Sequence, residues 1–265
     1  MQIGHRQVSL KKILESFFFF LTGIFKKRTY DIIFYYPAHF NRGENAKNSF
    51  FEPFYRICEK NNISYLVFEE PELSQKAFRN EYTVPFDFMF FLILIMRKMI
   101  SLEKFASFQQ REWYIAKKLK PIFFRNLKFD NCIVLSNSML GFFRGLNSKA
   151  GLFDYQHGII YSTHEGYIDN NRRVPDHIRE NNANLIVYGD GFKDILQRTE
   201  KDHYYESHIF SIGQSLKGEL SICRGIYTVL VSLQLADSDV SLNMKLRDIM
   251  ADFFQTYKED RKSVV

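Results

Sequence analysis

Two short stretches of this chain carry residue types suited to chemistry: Gln156-His157-Gly158 and, a few positions on, His164-Glu165-Gly166-Tyr167. Both follow an apolar run, residues 151–155, and Asp154 stands just before them. Imidazole exchanges protons near neutral pH. His157 is therefore the candidate catalytic base, removing the proton of a hydroxyl as it attacks. Gly158 predicts a sharp turn and close approach of backbone to ligand. Gln156, His164 and Glu165 are candidate substrate contacts, with Glu165 orienting a histidine or holding a sugar hydroxyl. Tyr167 is a candidate platform for a sugar ring. The alternative for the second stretch is a plain solvated loop.

A metal reading would join His157, His164 and His177, but their spacing matches no compact ligand motif, and no metal is expected. The triplet Asp237-Ser238-Asp239 has a form that some sugar transferases use to hold a metal and a diphosphate; the plainer reading is the acidic start of a helix. Glycine-rich nucleotide loops are absent. Tyr188-Gly189-Asp190-Gly191 reads as a strand-to-helix turn whose free amides can meet an anion, with Arg172, Arg173 and Lys193 near it in sequence.

The elements that must position these residues follow from the pattern. Apolar strands are predicted at 31–36, 64–68, 131–135, 151–155, 184–188 and 208–212. Helices are predicted at 49–60, over 86–119 as one or two, at 138–146 with Ser138 as N-cap, and at 191–198. Strands alternating with helices predict an α/β fold, a doubly wound, mostly parallel, Rossmann-like sheet. In such sheets ligands bind beyond the carboxyl ends of the strands. That rule gathers His39 and Arg42 (with Asn41), Ser136 and Asn137 (with Ser138), Gln156, His157 and Gly158, and Gly189 and Asp190 on one edge as a cleft.

The domain boundaries expected are a basic, Phe-rich amphipathic segment over 1–29, a Rossmann-like domain over 30–213, a linker over 214–226, and the start of a second Rossmann-like domain over 227–259. Residues 260–265 read like the translation of a sequencing adapter, and the second domain is expected to be truncated.

The chain has 265 residues, 46% of them hydrophobic and 25% charged, with a net charge of +6. The excess of cations suits an anionic partner: a nucleotide, an acidic glycan or an anionic lipid. No nucleic-acid motif or basic helix is present, so nucleic acid is not an expected partner. Cys58, Cys132 and Cys223 form no Cys-x-x-Cys pair, which argues against a disulfide framework and for a reducing, cytoplasmic compartment. Two apolar runs, 17–25 and 88–96, fall short of the roughly 20 residues needed to span a bilayer. The first is flanked by Lys11, Lys12, Lys26, Lys27 and Arg28. It reads either as a core helix or as a helix lying on the inner face of the cell membrane.

The run Phe153-Asp154-Tyr155-Gln156-His157-Gly158-Ile159-Ile160, then His164-Glu165-Gly166-Tyr167, then Leu185-Ile186-Val187-Tyr188-Gly189-Asp190 resembles bacterial surface-polysaccharide glycosyltransferases of the GT-B class. These are two-domain Rossmann-type enzymes in the style of the capsule and teichoic-acid polymer transferases. The resemblance covers about residues 30–234. It implies an amino-terminal domain holding a glycan or lipid-linked acceptor, and a carboxyl-terminal domain binding a nucleotide-activated donor, which enters as substrate with no further cofactor. It makes His157 the base or a donor-phosphate contact, and residues 227–234 the first donor-domain strand. The chain departs from the family in lacking nearly all of that domain, so the fragment alone is expected to be inactive. The implied reaction is transfer of a sugar, or a polyol phosphate, to a glycan hydroxyl. Alternatives are a nucleotide-sugar epimerase or hydrolase on the same plan, and a non-catalytic glycan- or membrane-binding module.

Overall fold

The computed structural model describes residues 9–73, 78–162 and 164–213. The chain divides into two compact units, Met1–Leu216 and Lys217–Val265. The second unit lies outside the described residues, as do Cys223, Asp237-Ser238-Asp239 and the expected linker, second domain and terminal tail.

Seven strands form one sheet: β1 (Arg28–Pro37), β2 (Tyr65–Glu70), β3 (Val84–Pro85), β4 (Leu127–Val134), β5 (Gly151–Tyr155), β6 (Asn184–Val187) and β7 (Ile209–Ser211). Every neighbouring pair is parallel. Their order is β3-β2-β1-β4-β5-β6-β7. The chain therefore leaves β1 toward one edge, returns to β4, and continues to the other edge. The fold is α/β with a Rossmann-like parallel sheet, and its topological switch point lies between β1 and β4.

The helices are α1 (Leu10–Gly23), α2 (Glu52–Lys60), α3 (Asp87–Met99), α4 (Phe108–Leu119), α5 (Leu140–Leu146), α6 (Asp176–Arg179) and α7 (Asp190–Thr199). The predicted helix at 49–60 starts three residues later, because Asn48 Oδ1 receives the N–H groups of Phe50 and Phe51 and so turns the chain before α2 begins. Ser138 does not cap α5. Residues Asn137–Met139 form a separate 3-10 turn, and the Ser138 hydroxyl meets that of Ser136 at 2.8 Å.

Alternation along the strands sends side chains to two cores. Ile33, Tyr35, Cys132, Val134, Leu152, Leu185 and Val187 face a large core shared with residues of α1, α3, α4, α5 and α7. Phe34, Tyr36, Ile133, Leu135, Tyr155 and Ile186 face a smaller aromatic core closed by Phe51, Tyr55 and Cys58. The sheet is thus covered unequally.

Of the segment expected over 1–29, the described residues include α1 and the start of β1. The inner face of α1 belongs to the large core: Phe20 is fully buried, with its ring 5.7 Å from Phe68, 5.6 Å from Phe86 and 5.2 Å from Phe124. Burying one such ring contributes about 1.5–3 kcal/mol. Among the described residues, no helix is long and apolar enough to cross a membrane.

Helices α4 and α5 approach closely because α5 carries glycine at two positions four apart. A Cβ on Gly145 would fall 2.6 Å from Ala116 Cβ, and one on Gly141 would fall 2.6 Å from Gln109 Oε1.

Candidate functional site

The end of β1 turns through a 3-10 segment, Ala38–Phe40, that carries His39 to the carboxyl edge of the sheet. Two acids from the end of β2 and just beyond hold it there. Glu69 is buried and accepts from Asn41 Nδ2 at 2.7 Å and from the Asn80 N–H at 2.9 Å. Arg79 ties Glu69 to Asp87, whose two oxygens accept at 2.9 and 2.7 Å. Glu72 then meets His39 Nδ1 at 2.5 Å. Between these acids, burial pushes the Glu70 carboxyl up to about 7, although the Tyr35 hydroxyl that donates to it and the charge of Arg97 pull the other way.

The loop after β5 reaches the same place. The ring of Phe40 is the floor on which the two loops meet. His39 lies 4.2 Å from it, His157 5.1 Å in an edge contact, and the Arg42 guanidinium 6.0 Å above it. Arg42 Nε also donates to the His39 carbonyl at 3.1 Å. His39, Arg42 and His164 are close enough to His157 to act on its ionisation. The His157 ring still reaches solvent, but its partial desolvation among these neighbours is the main cause that lowers its pKa from the ordinary value. His39, His164 and Arg42 act on it in the same direction, and a hydrogen bond to the Tyr155 backbone opposes them. An imidazole so placed stays neutral at pH 7 and can accept a proton.

The structure brings together His39, Arg42 and His157, with His164 at the margin, across the ends of β1 and β5. Between them runs β4, whose following residues Ser136 and Asn137 are half-buried.

The other predicted contacts have different roles. Gln156 is fully buried, so it is a positioning residue and not a substrate contact. Its Oε1 accepts from the Tyr188 N–H at 2.9 Å and its Nε2 donates to the Gly158 carbonyl at 2.7 Å, which fixes the loop bearing His157 to the end of β6. Tyr167 is also buried and cannot stack on a sugar; its carbonyl accepts from the Tyr205 hydroxyl at 2.8 Å. His164 Nδ1 accepts from the Gly166 N–H at 3.2 Å, while His177 Nε2 donates to the Gly166 carbonyl at 2.9 Å. These bonds clamp the loop from beneath, with Asn137 beside His177. Glu165 is exposed.

Gly158 does not adopt a positive φ, so the turn does not demand glycine there; its Cβ position faces open space. The same holds for Gly189. Asp190 opens α7 and sets a carboxylate at the helix start, where an anion would otherwise be received. Gly189 and Asp190 follow β6, outside the group formed by the ends of β1 and β5.

Asp154 does not orient His157. It is buried on the large-core face of β5, neither oxygen has a hydrogen-bond partner in the protein, and burial pushes its carboxyl up to about 8. Among the described residues, no group of three or more His, Cys, Asp or Glu could hold a metal ion.

Sequence reasoning passed over Phe40 and Glu72. Glu69 and Glu70 end β2 and Glu72 follows it. The rule that strand-end residues collect on one edge applies to β2 as it does to β1, and would have found them.

The arrangement gathers two imidazoles and one guanidinium beside the switch point of a Rossmann-like sheet, with His157 kept neutral and His39 fixed by the Glu72 carboxylate. Compared with family models, with curated proteins and with solved structures, the chain matches none of them.

Proposed function

We propose that this protein is a glycosyltransferase of cell-surface polysaccharide assembly. It moves a sugar, or a polyol phosphate, from a nucleotide-activated donor to a glycan hydroxyl. The observation that carries the reading is the meeting of His39, Arg42 and His157 around the Phe40 ring. Such a cluster suits a phosphate-bearing ligand, and a switch point is where open α/β sheets bind ligands. The resemblance of the loop at 156–167 to surface-polysaccharide transferases supplies the reaction class.

In this reading neutral His157 takes the proton of the acceptor hydroxyl. The acceptor oxygen forms the new bond to the anomeric carbon (or to phosphorus, for a polyol phosphate). The bond to the nucleotide leaving group breaks, and its electron pair stays on the departing phosphate, whose charge Arg42 offsets. The acceptor, free or lipid-linked, would be met on the cytoplasmic side of the cell membrane.

A second reading rests on the 2.5 Å contact of His39 with Glu72. A carboxylate that orients an imidazole is the arrangement of a general base, so His39 would take the proton and His157 would face the donor phosphate.

The test is incubation of the full-length protein with a panel of nucleotide sugars, with and without oligosaccharide acceptors. Nucleotide release that requires acceptor supports transfer. Release or isomerisation without acceptor would replace transfer by hydrolysis or epimerisation, and the absence of nucleotide binding would reject the donor site.

A further inference from the structure

The inner face of α1 is part of the core, and its outer face carries a second apolar stripe. Leu10, Leu14, Phe18 and Leu21 recur at helical spacing, and Phe25 continues the line just past the helix end. Leu10 is 72% exposed, Phe18 56% and Phe25 85%. Helix α3 repeats the pattern, with Ile95 55% and Met99 78% exposed. The rings of Phe17 and Phe88 lie 5.1 Å apart where α1 meets α3, and Phe88 lies 5.6 Å from Phe123. On a helical wheel Phe17 borders the stripe of α1, and Phe88 borders the outer arc of α3. The exposed surfaces of the two helices therefore join across these rings, and exposed Ile122 extends them. A soluble surface rarely leaves so many large apolar side chains contiguous without a partner.

Charge selects the partner. Lys11, Lys26, Lys27, Lys98, Lys120 and Arg125 are exposed around the patch. Among the described residues of α1, α3 and the turn Lys120–Phe124, no carboxylate is exposed; Asp87 is buried and Glu15 is half-buried, engaged by Lys11 and Lys12 at 3.8 and 3.0 Å. A second copy of the chain would present the same cations and repel. A bilayer with anionic headgroups offers hydrocarbon for the phenylalanines and negative charge for the lysines.

The geometry points to the outer surface of α1 and α3 as a docking face for an anionic membrane. The face is rigid because α1 is fixed by Phe20, so the protein binds as a folded body and does not release a helical tail. This inference bears on where the protein works and is independent of the transfer chemistry proposed above.

The test is cosedimentation of the whole protein with vesicles of phosphatidylcholine alone and of phosphatidylcholine with phosphatidylglycerol. Binding is expected with the mixed vesicles and much less with phosphatidylcholine alone. Phe18→Ser/Phe25→Ser is expected to lower the partition coefficient by on the order of 10-fold or more, with an unchanged melting temperature because both rings are exposed. Lys26→Gln and Lys27→Gln are each expected to weaken binding about five-fold. A wild-type protein that stays in the supernatant with mixed vesicles would overturn the inference. So would a serine variant that binds like wild type, or a lipid-free dimer that the serine substitutions dissociate.

Discussion

The carboxylate of Glu72 holds Nδ1 of His39 at 2.5 Å, joining the chain just beyond β2 to the turn that ends β1. The contact fixes one ring orientation and engages Nδ1, so any contact with a ligand falls to Nε2. With His157 as base, His39 is a donor contact. Glu72→Gln is then expected to raise the donor KM several-fold, with kcat within about two-fold of wild type. Steady-state kinetics check this. A collapse of kcat at unchanged KM would move the base role to His39.

His157 carries the proton in the first reading. His157→Ala is expected to lower turnover by about 10²- to 10⁴-fold. The melting temperature should not move, because the ring reaches solvent and the loop is anchored by Gln156. The active form is the neutral imidazole, which predominates above its pKa. Burial lowers that pKa, so the acid limb of the kcat/KM profile should lie below the ordinary imidazole value of about 6.5. An acid limb at or above that value would reject His157 as the titrating base.

Asp154 makes stability depend on pH. Its folded pKa is pushed up to about 8 by burial, against about 3.9 for aspartate in an unfolded chain. Between these values the folded protein keeps a proton that the unfolded chain has released. Stability therefore falls as pH rises from about 4 to about 8, and is flat above. Glu70, pushed up to about 7, acts in the same direction. Asp154→Asn removes the ionisation and should flatten this slope, stabilising the protein at pH 8 and not at pH 4. Urea unfolding across that range is the measurement, and parallel curves for the two proteins would refute the assignment.

Gly145 sets how closely α5 lies on α4. A Cβ there would meet Ala116 Cβ at 2.6 Å and the Trp113 carbonyl at 2.8 Å. Backbone cannot move aside as the end of a flexible side chain can, so Gly145→Ala is expected to destabilise by about 1–3 kcal/mol. Gly158→Ala meets open space and should be near neutral in stability. Comparison of the two unfolding midpoints tests the contrast.

Much of the frame was legible in the residues themselves. The apolar run at 151–155 is β5 to the residue, and the runs at 31–36, 131–135 and 184–188 mark β1, β4 and β6 within a few positions. Period-two alternation of apolar side chains and the turns after them are local properties, so a single chain displays them. The parallel sheet followed from those strands alternating with helices. Tertiary structure alone decided which strand-end residues meet one another at the carboxyl edge. Gln156 and Tyr167 have the side chains of ligand contacts, yet burial gives them to the scaffold. Phe40 and Glu72 drew no attention in sequence, yet they gather and orient the imidazoles. The reason is strand order: β1 and β5 are separated by more than a hundred residues of chain but by only one strand in space. Nothing local to either segment records that distance, whereas the packing that sets it determines which side chains meet solvent and which meet one another.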